Sequence, residues 1–309
     1  MTSLPPLRML ESPEIRALIR ALGANTPPSR ITQQPLDFDS SHHARLCDRE
    51  RPVSARDLAT YADDLLYCPP IQTSLLVYLL PTLLHHWRRC LLAPRYSDFA
   101  AFMERFNTAL ARNAGFRELL VPRHYEAVGR FMSESLLQRI GQESQLHFES
   151  ARASPYTWVY ALATFGKAFP LVDPLWTQWW SSPSEGHARA VLQYLSVLMY
   201  GDAENPVFAP WSPERGGGPP LPWEDESFAY EACWLPENVD FLRSRLTPEY
   251  ARQSLLTACA RLEGKDDSGV PHQMLGDFDA ARTRLELRIE ELPRRLSSPQ
   301  ECAVGWADP

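Results

Sequence analysis

The hydrophobic positions of this chain recur with the period of an α-helix over most of its length. After Ser12 the apolar residues lie at i, i+3, i+4 and i+7 and stop at a glycine; they are Ile15, Leu18, Ile19 and Leu22, followed by Gly23. Similar apolar stripes begin near residues 54, 71, 97, 122, 154, 174, 185, 247 and 277. This pattern predicts a mainly α protein, an irregular multi-helix bundle of about nine or ten helices.

Four of these stripes open on a capping residue followed by proline. The pairs are Ser12-Pro13, Ser154-Pro155, Asp173-Pro174 and Thr247-Pro248. The side-chain oxygen of the first residue can accept a hydrogen bond from the free N–H groups of the first turn, and proline fits there because its missing donor is not needed. We therefore expect a helix to begin at each pair.

Three regions lack a helical period. Residues 24–53 are predicted to form an irregular arm, residues 201–236 a long loop or short β insertion rich in proline, glycine, acidic and aromatic residues, and residues 293–309 a loose tail. Alternating large and small residues near 228–234 predict a short strand. We expect residues 1–309 to form a single α-helical domain, with a HEAT-like helical stack as the alternative architecture.

Composition and charge narrow the classes of partner. The formal charge of −7 comes from 38 acidic and 31 basic residues, which favours a basic partner and disfavours nucleic acid. The apolar run from Ile71 to Leu92 contains arginine and histidine, so we interpret it as buried core and expect no membrane association. The N-terminus lacks the pattern of a signal peptide, and the six cysteines form no CxxC pair, so a cytoplasmic location is expected.

The motifs of the large enzyme classes are absent from the sequence. It contains no GxSxG, Walker A, GxGxxG, HExxH or EF-hand pattern. The glycine run at 216–218 is followed by two prolines, so nothing in it favours phosphate binding. We predict no catalytic residue, no cofactor and no metal, and the interpretation leans away from an enzyme.

Several histidines, acids and tryptophans are candidate site residues. Asp63-Asp64 resembles the start of the DDxxD magnesium motif of terpene synthases, but Tyr67 holds the fifth position, so we expect a solvent-exposed helix face. His42-His43 is expected to be solvent-exposed. His86 and Cys90, spaced i and i+4, are expected to pack in the core. Core burial is also favoured for the tryptophans at 176, 179 and 180, with at least one of them left near the surface.

The strongest functional signal lies in residues 202–240, which we call the acidic segment. Nine carboxylates there oppose the single Arg215, and six large aromatic residues are interleaved with them. Negative potential combined with aromatic anchors is typical of a protein interface. The candidate partner-binding residues are Trp211, Trp223, Glu224, Asp225, Glu226, Phe228 and Tyr230.

This composition favours a non-enzymatic interaction module that binds and neutralises a basic protein, such as a bacterial toxin domain, in the manner of an immunity protein. Two alternatives stay open. One is an enzyme whose site assembles from distant residues, with His85, His86, His124, Asp63 and Asp64 as contributors. The other is an α-solenoid scaffold. The sequence does not predict an oligomeric state.

Overall fold

The computed structural model describes residues 12–36, 41–48, 53–93, 100–146, 156–201, 204–207, 233–265 and 268–297. Within these ranges the chain forms twelve helices and no strand, which confirms the prediction of a mainly α, multi-helix fold. The helices are α1 (Pro13–Leu22), α2 (His42–Cys47), α3 (Ala55–Tyr67), α4 (Thr73–Leu91), α5 (Ala100–Arg112), α6 (Pro122–Ile140), α7 (Tyr156–Ala168), α8 (Val172–Trp180), α9 (Glu185–Met199), α10 (Pro236–Arg245), α11 (Pro248–Arg261) and α12 (Gly269–Ser297).

The helices group into two compact units, Met1–Ser135 and Leu136–Pro309, and α6 runs across the boundary. The single-domain arrangement stays a prediction. In the part of the chain that the structure describes, no helix combines the length and apolar character needed to cross a bilayer.

Unit 1 is organised around α3, α4 and α5. Helix α3 packs mainly against α5, and α4 contacts both α1 and α5. The strongly apolar α4 is buried along most of its length, as expected for a core helix, and it continues through Pro81 as one helix. Between α4 and α5, Trp87 Nε1 donates a buried hydrogen bond of 2.9 Å to Asn107 Oδ1, which satisfies the indole of the largest side chain in this core.

The predicted irregular arm at 24–53 is wrong in part, because α2 forms inside it. The preceding stretch is held by Gln72 at the start of α4, whose Oε1 accepts from the N–H groups of Thr32 (2.7 Å) and Gln33 (3.3 Å). These bonds join residues about forty positions apart, so no local pattern could have indicated them. They hold Thr32 and Gln33 at the start of α4.

Unit 2 is built on α9, which packs against α11, α12 and α8. Trp176, Trp179 and Trp180 of α8 surround Tyr194 of α9, with ring centroids 5.2–6.0 Å from it. All three indoles are at most 2 % exposed. Core burial of these residues is confirmed, while the expectation that at least one lies near the surface is wrong, because α8 is covered on several sides.

Two of the four predicted helix starts are observed as expected. Ser12 Oγ accepts from the N–H of Ile15 (3.2 Å), and Thr247 Oγ1 accepts from the N–H of Tyr250 (3.1 Å). Ser154-Pro155 lies outside the described residues. Asp173 does not cap α8: the helix begins two residues before Pro174, at Val172, whose N–H donates to Asn238 Oδ1. A residue 66 positions away thus replaces the local cap.

The end of the chain contains more helix than predicted. Residues 236–245 form α10, which the sequence pattern did not indicate, because its polar side chains outnumber its apolar ones. Helix α12 begins at Gly269 and continues through Pro293 to Ser297, so the prediction that Pro293 ends the helix is wrong. The predicted strand near 228–234 and the tail after residue 297 lie outside the described residues, apart from 233 and 234, which are not helical.

Candidate functional site

The seven predicted partner-binding residues lie outside the described residues. Trp211, Trp223, Glu224, Asp225, Glu226, Phe228 and Tyr230 all fall between 208 and 232. The described parts of the acidic segment are its two flanks, residues 204–207 and 233–240. Their contacts define how the body of unit 2 holds the ends of this segment.

The N-terminal flank is fixed to α9 and α12. Asn205 Nδ2 donates a buried hydrogen bond to Ser196 Oγ (3.1 Å), and the next apolar residue, Val207, is fully buried. Glu204 forms an exposed ion pair with Arg284 of α12, with Oε2 and Nη1 3.2 Å apart. The chain therefore enters the acidic segment from a fixed position beside α12.

The C-terminal flank is fixed by Trp234, which is 5 % exposed. Its main-chain N–H donates to the carbonyl of Leu296 in α12 (2.9 Å), and the N–H of Leu235 donates to the carbonyl of Gly166 in α7 (3.0 Å). Asn238 Nδ2 donates to Gly166 O (2.8 Å) and Phe169 O (2.7 Å) and so satisfies carbonyls near the end of α7. The chain leaves the segment at a second fixed position.

A separate group of titratable residues comes together in unit 1. His42 and His43 of α2 and Asp64 of α3 each place one potential ligand atom within 4.8 Å of the other two. The three side chains are 4 %, 1 % and 0 % exposed. Burial of these residues contradicts the expectation that His42-His43 is solvent-exposed and that Asp64 lies on an exposed helix face.

Asp64 is the centre of this cluster. Its Oδ2 lies 2.8 Å from His43 Nε2, and its Oδ1 accepts from the N–H of Leu36 at 2.7 Å. A buried carboxylate is tolerated only where its oxygens are paired, and here both oxygens have partners. Asp64 therefore joins α3 to α2 and to residues 32–36.

His42 is held differently from His43. Its Nδ1 lies 4.0 Å from Asp57 Oδ1, and its Nε2 is buried with no hydrogen-bond partner. Asp57 is itself fixed by a capping box, in which its N–H donates to Ser54 Oγ (3.0 Å) and its Oδ2 accepts from the Ser54 N–H (3.2 Å). Burial is the main reason why the pKa of His42 is lowered, so the imidazole favours its neutral form.

The surroundings of the cluster are apolar and contain weakly acidic groups. Tyr61 meets the His43 ring edge-on at a centroid distance of 5.7 Å, is fully buried, and has a hydroxyl without a hydrogen-bond partner. Burial raises the pKa of Tyr61 well above its usual value, with Asp64 and Cys47 adding to the effect. Burial also raises the pKa of the Cys47 thiol to about 11, so this thiol stays protonated at neutral pH.

The other candidate histidines and acids do not join this cluster. Asp63 points away from Asp64 and pairs with Arg105 of α5, with Oδ2 and Nη1 2.9 Å apart. His86 packs against Phe102, with ring centroids 4.6 Å apart. Over the described ranges, His42, His43 and Asp64 are the one group of three or more potential ligands, and neither His86 nor Cys90 belongs to it.

A second buried polar group lies in unit 2, around Glu143. Its Oε1 accepts from Arg139 Nη1 (2.7 Å) and its Oε2 from Gln193 Nε2 (3.2 Å). Burial raises the pKa of Glu143, and the Arg139 charge opposes that effect. Because both carboxylate oxygens are occupied by residues of the chain, this group ties α6 to α9 and offers no open position to a ligand.

Comparison with known proteins gives no relative. No protein-family model matches the chain, and no curated protein and no solved structure matches it. The structure and the residue chemistry are therefore the basis for any functional assignment.

Proposed function

We propose that this chain is a non-enzymatic interaction protein that binds and neutralises a basic protein partner through the acidic segment. A bacterial toxin domain is the partner class that we favour, and the cytoplasm is the proposed location. The observation that carries the proposal is the composition of the segment, which contains nine acidic residues and a single arginine. The negative potential of the segment would raise the rate of association with a positively charged partner, and the aromatic side chains would slow dissociation of the complex.

The anchoring of the two flanks supports this proposal. Glu204 pairs with Arg284, and the N–H of Trp234 donates to Leu296. These two α12 residues are about 18 Å apart at the rise of a regular helix. Binding residues commonly lie on loops whose ends are fixed by a rigid scaffold, and both ends of this segment are fixed to helices of unit 2.

The test begins with affinity purification of the tagged full-length chain and identification of the proteins that it captures. The captured partner is then measured against a triple variant that replaces Glu224, Asp225 and Glu226 by alanine. We expect the association rate to fall at least tenfold at low salt, with a smaller effect at high salt, because screening weakens the same attraction.

A matched control removes the same charge elsewhere. Glu118, Glu126 and Glu134 are exposed and lie in unit 1, so their triple replacement by alanine changes the net charge equally. The proposal is wrong if the control and the segment variant slow association to the same extent. Capture of only acidic or neutral proteins would also contradict it.

An enzyme is the second candidate function, and one observation favours it. His43 Nε2 and Asp64 Oδ2 lie 2.8 Å apart, the arrangement by which a carboxylate orients a histidine in many active sites. The near-complete burial of His43 and Asp64 weighs against direct access for a substrate. A small-molecule screen by thermal shift separates the two candidates: an enzyme of this kind should show a ligand whose stabilisation disappears in Asp64→Asn.

A further inference from the structure

We propose that His42, His43 and Asp64 form a binding site for one divalent transition-metal ion, with zinc as the reference ion. The geometric basis is that one potential ligand atom from each residue lies within 4.8 Å of the other two. Two imidazoles and one carboxylate are a donor set used for Zn²⁺ and for Fe²⁺. This inference does not depend on the function proposed above.

The unpartnered nitrogen of His42 is the second observation that points to a ligand. His42 is 4 % exposed, and its Nε2 makes no hydrogen bond. A buried polar atom without a partner destabilises the fold, and a bound ion would remove that penalty.

The distances fit a metal after small side-chain movements. Ligand atoms about 2.0–2.1 Å from a tetrahedral ion lie about 3.3 Å from one another. The His43–Asp64 pair, at 2.8 Å, would have to open by about half an ångström. Any pair at the 4.8 Å limit would have to close by about 1.5 Å.

Groups outside the three ligands favour the same arrangement. Asp57 Oδ1 lies 4.0 Å from Nδ1 of His42, so a movement of about 1 Å would let this carboxylate accept from Nδ1 and orient a ligating imidazole. Asp64 would keep its Oδ1 bonded to the N–H of Leu36, while its Oδ2 would exchange the contact with His43 Nε2 for the ion.

A purely structural reading competes with this proposal. In that reading, Asp64 only joins α2 and residues 32–36 to α3 through its bonds to His43 and Leu36. Both readings predict that Asp64→Asn destabilises unit 1. They differ in whether stability depends on metal, so the experiment must compare metal-loaded and metal-stripped protein.

The test uses the full-length chain, stripped with a chelator and kept reduced, and titrated with Co²⁺ and then with Zn²⁺. We expect one equivalent of Co²⁺ to give visible d–d absorption and Zn²⁺ to displace it. Zinc at about 100 times its dissociation constant should raise the midpoint of thermal unfolding by about 5–10 °C.

The adjacent aspartates provide matched variants. Asp64→Asn removes a proposed ligand, whereas Asp63→Asn removes a carboxylate on the same helix that pairs with Arg105. We expect Asp64→Asn to weaken Co²⁺ binding at least tenfold and Asp63→Asn to change it less than twofold. If Asp64→Asn does not fold, His42→Gln decides, because Nε2 of His42 has no protein partner to lose.

Three results would overturn the proposal. One is the absence of Co²⁺ and Zn²⁺ binding by the folded wild-type chain. Another is binding that survives both His42→Gln and Asp64→Asn. The third is a thiolate-to-cobalt charge-transfer band, which would assign the ion to cysteines.

Discussion

Gly166 of α7 lies directly against the indole of Trp234, and this contact allows a specific prediction about the stability of unit 2. A Cβ atom at Gly166 would lie 2.4, 2.5 and 2.8 Å from Cε2, Cδ2 and Cε3 of the Trp234 indole. Ordinary carbon contacts are about 3.5–4.0 Å, so Gly166→Ala must displace the ring or the backbone. The ring has little freedom, because the N–H of Trp234 donates to Leu296 and the N–H of Leu235 donates to Gly166.

The magnitude follows from two opposing effects. Alanine in place of glycine in a helix interior contributes about 1 kcal/mol of stability. Overpacking costs about 1–3 kcal/mol, and full expulsion of a buried tryptophan about 3–5 kcal/mol. Trp234 is 5 % exposed, so its displacement from the core would lose much of the free energy that a buried tryptophan contributes. We expect Gly166→Ala to lower the free energy of unfolding by about 2 kcal/mol.

Gly276 supplies the control. It lies inside α12, and a Cβ atom there would meet no heavy atom within 4 Å. Gly276→Ala should therefore stabilise the protein by about 0.5–1 kcal/mol. Urea unfolding followed by circular dichroism, with tryptophan fluorescence as a second probe, measures both variants. The reasoning is refuted if Gly166→Ala is as stable as Gly276→Ala.

Two further predictions concern unit 1. Ser54→Ala removes the hydroxyl of the capping box at α3, so the free energy of unfolding should fall by about 1 kcal/mol. Ser54→Asp should restore most of this loss, because an aspartate can also cap the helix. Equal losses in the two variants would contradict a capping role. Burial, with a smaller effect of Arg89, lowers the pKa of His86 from 6.5 to about 4. Between these two pH values the unfolded chain binds a proton at His86 that the folded chain does not bind. The free energy of unfolding therefore falls as the pH drops from 6.5 to 4. At pH 5 this proton binding lowers the free energy of unfolding by about 2 kcal/mol. His86→Leu should abolish that loss, which urea titrations at pH 7 and pH 5 measure. If the wild type and the variant lose the same stability between these pH values, His86 does not contribute.

The candidate metal site shows why part of this protein could not be read from local pattern. His42 and His43 lie on a helix of six residues, too short for a hydrophobic period to be recognised. Their burial depends on α3, and Asp64 is 21 residues away from His43 along the chain. A paired histidine followed at helical spacing by Leu46 was the one available signal, and it also fits an exposed turn.

The local features of the fold follow from the sequence alone. Ser12, Ser54 and Thr247 cap helices because a side-chain oxygen three residues before an N–H needs no tertiary partner. Apolar residues spaced by three and four positions gave the core faces of ten helices for the same reason.

Tertiary structure decided the features that depend on distant residues. Asn238 moved the start of α8 away from Asp173, and the packing of α2 and residues 32–36 on α3 buried Asp64. Burial of a polar group is acceptable only when its partners are in place, and those partners come from other elements. The sequence therefore predicted ten of the twelve helices that the structure describes, while the gathering of His42, His43 and Asp64 required the folded chain.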